Sequence, residues 1–140
     1  MDRKIYMLYV DDMRVCPYSN ISKEALYFKD FTIDDVVVDT AYSYKEALKK
    51  IETFWQDRGV DLLFIDFDHD LGERHSGYDL AKKLVEKDIY GFYHVHSMNP
   101  VGKENICSLL DHYKWHRMVY VDHNRNGDHR WREAKFFGQG

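Results

Sequence analysis

The residues with the most chemical promise stand at the end of an apolar run. Leu62-Leu63-Phe64-Ile65 leads into Asp66-Phe67-Asp68-His69-Asp70, and Leu71 and Gly72 follow. A continuous apolar run of this length suits a strand buried on both faces, as in a parallel sheet covered by helices. In such sheets the carboxyl ends of the strands face the ligand crevice, so this strand delivers Asp68, His69 and Asp70 to its mouth. Asp66 and Asp68 are two apart and share one face, while Phe67 points to the other. Packing does not ask for so many ionisable groups at the end of a core strand.

A second acid pair, Asp11 and Asp12, ends the apolar run Lys4–Val10. In flavodoxin-like strand order the two strands are neighbours, and both acid sets meet at the topological switch point. Crowded carboxylates repel and are tolerated mainly around a cation. Oxygen-only ligands favour Mg2+ or Mn2+. The plainer alternative is a set of solvated loop acids or helix caps. A third strand end supplies His94-Val95-His96-Ser97. His94, deeper in the strand, reads as a hydrogen-bonded strand histidine. His96, beside the crevice and Ser97, reads as a general acid or base, with a reference pKa near ~6.5. Asn99 before Pro100 marks a helix start at the same rim,. Amides at a helix N-terminus bind phosphate, Gly102 lets a ligand approach the backbone, and Lys103 adds charge.

These groups need a scaffold, and the apolar patterning describes one. Strands are expected at residues 4–10, 35–40, 92–96 and 118–121, and in the apolar run from Asp61 that ends in the acids. A weak helical pattern covers residues 20–29. Ser43-Tyr44-Lys45-Glu46 is a capping box, and Ala47, Leu48, Ile51, Phe54 and Trp55 recur with helical period towards a stop at Gly59,. Ser76-Gly77-Tyr78-Asp79 opens another helix, and the helix from Pro100 continues through Ile106, Leu109 and Leu110. Alternating strands and helices imply a mostly parallel sheet. The chain of 140 residues reads as one domain, with a core over about 4–122 and a polar tail over 123–140,. In that tail, Asn126 and Gly127 form a turn, Phe136 and Phe137 pin it back, and Arg125, Arg130 and Arg132 are solvated.

A net charge of −4 argues against non-specific duplex DNA binding by phosphate neutralisation,. It leaves room for a small phosphorylated ligand, because a metal ion reverses the local field. Cys16 and Cys107 have no redox or metal spacing and read as reduced thiols,. Without a signal-peptide pattern or a membrane-length apolar run, the expected location is cytoplasmic. Oligomeric state has no signature in the sequence.

Taken together, Asp11-Asp12-Met13-Arg14 with Pro17, Asp68-His69-Asp70-Leu71-Gly72, Gly77-Tyr78, and His96-Ser97-Met98-Asn99-Pro100 with Gly102 and Asn105 resemble the cyclic-phosphate-processing receiver-like domains. The resemblance covers residues 4 to about 122. It implies an α/β, three-layer, flavodoxin-like fold with five parallel strands in the order 2-1-3-4-5 and a reduced or absent last helix. It also implies metal-assisted processing of cyclic phosphates on nucleotides or RNA ends. By the same resemblance, Asp11 and Asp12 match the acid pair of a receiver, Asp68 the phospho-accepting aspartate, and Ser97 the receiver hydroxyl. Receivers end their fifth strand in lysine and proline, whereas this chain reads Tyr120-Val121-Asp122-His123-Asn124. Phosphorelay signalling is therefore not expected.

The sequence thus leads to a metal-dependent phosphodiesterase acting on a cyclic nucleotide, a cyclic oligonucleotide signal or an RNA end. Asp11, Asp12 and Asp68 are the expected ligands of Mg2+ or Mn2+. His69, His96, Ser97 and Asp70 are the candidate catalytic residues. Arg14, Asn99, Gly102, Lys103 and Asn105 are candidate substrate contacts. The alternative is a non-catalytic receiver-like module that binds a protein or sequesters a cyclic nucleotide.

Overall fold

The computed structural model describes residues 3–28, 32–56, 62–123 and 129–134. In chain order these form β1 (Lys4–Val10), β2 (Leu26–Tyr27), β3 (Asp35–Ala41), α1 (Tyr44–Gln56), β4 (Leu62–Phe67), α2 (Gly77–Glu86), β5 (Phe92–Val95), α3 (Pro100–His112), β6 (His116–His123) and β7 (His129–Glu133). The strands make one seven-stranded sheet in the order β2-β7-β6-β5-β4-β1-β3. Pairing is parallel from β3 through β1, β4 and β5 to β6, and β7 runs antiparallel to β6.

β1 shows why the strands read as unbroken apolar runs. Tyr6, Leu8 and Val10 enter one core, and Ile5, Met7 and Tyr9 enter another on the opposite face. β4 repeats the pattern, with Leu63, Ile65 and Phe67 on the first face and Phe64 on the second,. All three α helices contribute to the first core, through Ala47, Ile51 and Phe54, then Leu80, Ala81 and Leu84, then Ile106, Cys107 and Leu110.

The second face corrects the expected architecture. It is covered by the crossover between β1 and β3, through Cys16, Tyr18, Leu26, Phe28 and Ile33, and by Trp131 of β7. The parallel strands are therefore part of a mixed seven-stranded sheet, and among the described residues its α-helices lie on one face instead of two. Of the helical pattern expected over 20–29, the described residues 20–28 form a single 3-10 turn, Lys23–Ala25, and then β2. Leu26 and Phe28 are buried while Tyr27 is exposed, so a period of two wins once β7 offers an edge to pair with,. The polar tail likewise contains a strand, which holds Trp131 against Tyr18, Phe64 and Tyr120. Arg130 and Arg132 are exposed on that strand. Among the described residues no helix follows β6, and no helix is long and apolar enough to cross a membrane. Gly59, Arg125, Asn126, Gly127, Phe136 and Phe137 lie outside the described residues.

The helix starts follow the expected capping chemistry. Ser43 Oγ accepts from the Glu46 amide at 3.1 Å, and Glu46 reaches back to the Tyr42 amide at 2.8 Å. Ser76 and Asp79 cap α2 reciprocally,. Asn99 caps α3, its Oδ1 accepting from the Gly102 amide at 3.0 Å,.

Candidate active site

The register brings three strand ends together. β4 lies between β1 and β5, so Asp11 after β1, Asp68 after β4 and His96 after β5 come to adjoining positions at the carboxyl edge. One ligand atom from each of these three residues lies within 4.8 Å of the others. Beneath them sits Asp66, on the same face of β4 as Phe64 and only 2% exposed.

His96 is the centre of the group. Its Nδ1 is 2.7 Å from Asp66 Oδ1 and its Nε2 is 3.0 Å from Asp11 Oδ2. Two carboxylates facing two ring nitrogens make both nitrogens donors, which is the imidazolium form. Burial opposes that charge, but the hydrogen bonds and fields of Asp66 and Asp11, with Asp68 behind them, outweigh it and raise the pKa,. Tyr9 stacks on the imidazole at 4.4 Å with the planes 8° apart.

The three carboxylates are not equivalent. Asp11 is buried, yet the amides of Arg14 and Met13, at 2.8 and 2.9 Å on Oδ1, and His96 on Oδ2 hold it below the usual carboxylate range. Asp66 Oδ2 accepts from the Tyr18 hydroxyl at 2.7 Å. Asp68 is raised instead, first by burial and then by the negative charge of Asp11, which the His96 charge only partly offsets. Asp12 stands slightly apart. Its Oδ2 lies over Gly72, where a Cβ would come within 2.6 Å.

A second histidine–aspartate couple flanks the first. His69 Nδ1 is 2.9 Å from Asp70 Oδ1, and the Asn99 amide group donates to Asp70 Oδ2 at 3.4 Å. The His69 ring lies on Gly102, where a Cβ would be 2.3 Å from its Cγ. Ser97 Oγ accepts from the Asn99 amide at 3.1 Å and keeps its own proton to donate,.

The start of α3 is less open to anions than its sequence implies. Pro100 has no amide proton, Asn99 Oδ1 takes the Gly102 amide, and the Asn99 carbonyl takes that of Lys103. Only the Val101 amide remains of the first turn. Lys103 is half-buried, while Asn105 and Arg14 are exposed. His94 is the hydrogen-bonded strand histidine, its Nδ1 3.1 Å from the Met118 carbonyl and its pKa lowered by burial. The sequence pattern groups Asp66 with the other acids without a role of its own and gives Tyr18 none. The alternation that puts Phe64, Asp66 and Asp68 on one face, next to His94 and His96, was the available signal for Asp66,.

Met13, Val15, Met98 and Val101 are the most exposed large apolar side chains among the described residues, at 70–85%. All four lie on the segments leaving β1 and β5, within five residues of Asp11 or His96.

A parallel α/β core with acids at the ends of two adjacent strands is the arrangement of a receiver domain. Residues 6–112 match the family model of the cyclic-phosphate processing receiver domain, and the chain belongs to that family. Neither a curated protein nor a solved structure matches the chain significantly. The family name carries a role in cyclic-phosphate processing.

Proposed function

We propose that the protein is a phosphodiesterase that hydrolyses a cyclic phosphate on a nucleotide, with Mg2+ or Mn2+ as cofactor. The observation that carries this reading is His96, held as a double donor between Asp66 and Asp11 with Asp68 in reach, at the mouth of three adjoining strands. With both ring nitrogens of His96 donating to carboxylates, the carboxylates of Asp68 and Asp11 would hold a cation, Asp11 through an Oδ2 that also accepts from His96 Nε2. This hard oxygen set suits Mg2+ or Mn2+. The raised pKa of Asp68 supports the fit, because its charge lacks a sufficient counter-charge in the protein alone. Such an ion, when bound, would supply polarisation of the phosphoryl oxygen and a lower pKa for water.

The protein's own groups divide the proton transfers. His96, as imidazolium, gives its Nε2 proton, which Asp11 Oδ2 accepts in the free protein, to the ester oxygen that leaves phosphorus,. With Nδ1–H donating to Asp70, His69 keeps Nε2 as an acceptor and takes a proton from the attacking water,. One P–O bond forms to water and one ring P–O bond breaks, giving a phosphomonoester and a free hydroxyl. The Ser97 hydroxyl and the Val101 amide can donate to non-bridging oxygens as charge develops. The exposed apolar groups Met13, Val15, Met98 and Val101 favour a substrate with an apolar planar part beside its phosphate, which is a nucleobase,.

His96→Ala tests the assignment. On a cyclic nucleotide that the wild type hydrolyses, the variant is expected to lose turnover while its circular dichroism spectrum stays native. Turnover that survives with a native spectrum rules His96 out as the proton donor.

A further inference from the structure

Asp66 is poorly placed to meet a substrate. It is 2% exposed, beneath His96, and both of its oxygens are engaged by side chains from other parts of the chain. A buried carboxylate is costly unless it is hydrogen-bonded and paired. Here Tyr18, itself 3% exposed, donates to Oδ2, and His96 Nδ1 faces Oδ1 at the same distance of 2.7 Å. Tyr18 comes from the crossover between β1 and β3, 48 residues before Asp66.

The same residues constrain the imidazole in complementary ways. Stacking on Tyr9 fixes the plane of the ring but leaves rotation within that plane open,. The Nδ1 contact with Asp66 and the Nε2 contact with Asp11 at 3.0 Å close that rotation from opposite sides, and Asp66 is the partner on the inward side. Tyr18 then fixes the carboxylate, and its own ring is held edge-on by Tyr9 at 5.7 Å and by Trp131 at 5.6 Å. The chain of contacts therefore runs from the hairpin strand β7 through Tyr18 and Asp66 to His96.

We propose that Asp66 and Tyr18 are positioning residues that hold His96 with Nδ1 inward and Nε2 on the Asp11 side, where the proposed reaction takes its proton. The effect on turnover rests on the function proposed above, whereas the effect on the ring does not.

The test uses the full chain and the variants Asp66→Asn and Tyr18→Phe, with two readouts. The first is the nitrogen–proton NMR spectrum of the histidine rings. Wild type is expected to show a slowly exchanging, strongly downfield His96 Nδ1–H, which Asp66→Asn removes and Tyr18→Phe shifts. The second is kinetics on a cyclic nucleotide. Asp66→Asn is expected to lower kcat by roughly 10–100-fold, as loss of an orienting partner typically does, with KM little changed. Tyr18→Phe lowers it less. An Nδ1–H signal unaffected in both variants overturns the proposal, as does a displaced ring with unchanged kcat. If the wild type hydrolyses no cyclic phosphate, the ring spectrum still decides the positioning, and only the catalytic reading fails. If Asp66→Asn does not fold, Tyr18→Phe decides alone, because it removes one hydroxyl and keeps the ring.

Discussion

Asp68 differs from the other acids of the cluster in that its surroundings work against its charge. Burial and Asp11 raise its pKa in the folded state, so the native protein holds the Asp68 proton more tightly than the unfolded chain does. Stability from this group is present at low pH and is lost as pH rises past the ordinary carboxylate value near ~3.9. Without added metal, Asp68→Asn is therefore expected to melt at a higher temperature than wild type at pH 8. The difference should shrink as pH falls toward the protonated range, and the variant should be inactive. Paired thermal melts at pH 8 and pH 4 check this, and a variant less stable at pH 8 contradicts it. Asp11, Asp68 and His96 were legible in the sequence because acids and histidines at the ends of apolar runs converge in any parallel sheet. The role of Asp66 was not, since strand ends read from sequence are uncertain by about two to four residues. Tyr18 was out of reach, because its partner is far along the chain and its segment has no periodicity.

At the scale of elements, α3 does more to place His69 than to bind an anion. Its first turn is capped by Asn99, and Gly102 leaves the space that the His69 ring fills. A methyl group at that position would have to displace the imidazole. Gly102→Ala is therefore expected to keep the fold and to reduce kcat roughly 10–100-fold, since small misplacements of catalytic groups cost that much. Wild-type kinetics in that variant would remove His69 from the mechanism. The capping box at Ser43, the cap at Asn99 and the strand-to-helix alternation were readable because they depend on neighbouring residues. β2 and β7 were not, because two- and five-residue strands carry little pattern of their own and form by pairing, β2 with β7 and β7 with β6. Trp131 shows how much that pairing matters. It is 3% exposed and packs on Tyr18, Phe64, His94 and Tyr120. Trp131→Ala is expected to destabilise the protein by about 3–5 kcal/mol, the usual cost for a buried tryptophan. Chemical denaturation measures this, and a loss below about 1 kcal/mol would show that the second core does not depend on the hairpin.

For the whole molecule, one sheet separates two unlike cores. Helices fill one, and the β1–β3 crossover with β7 closes the other, from which Tyr9, Tyr18 and Asp66 support His96. The family match ends at residue 112, so β6 and β7 lie beyond it while still contributing to that second core. The last parallel strand runs through Tyr120-Val121-Asp122-His123 without the lysine and proline of a phosphorelay receiver. The most direct test is to incubate the protein with 2′,3′-cyclic nucleotides, cyclic dinucleotides and cyclic oligonucleotides in 18O-labelled water, with Mn2+, with Mg2+ and with chelator, and to read the products by mass. A metal-dependent gain of one water, with a single 18O on phosphorus, is the predicted result. Intact ligand recovered from every reaction would contradict the hydrolase, and intact ligand that stays bound would leave a domain that holds its ligand without cleaving it.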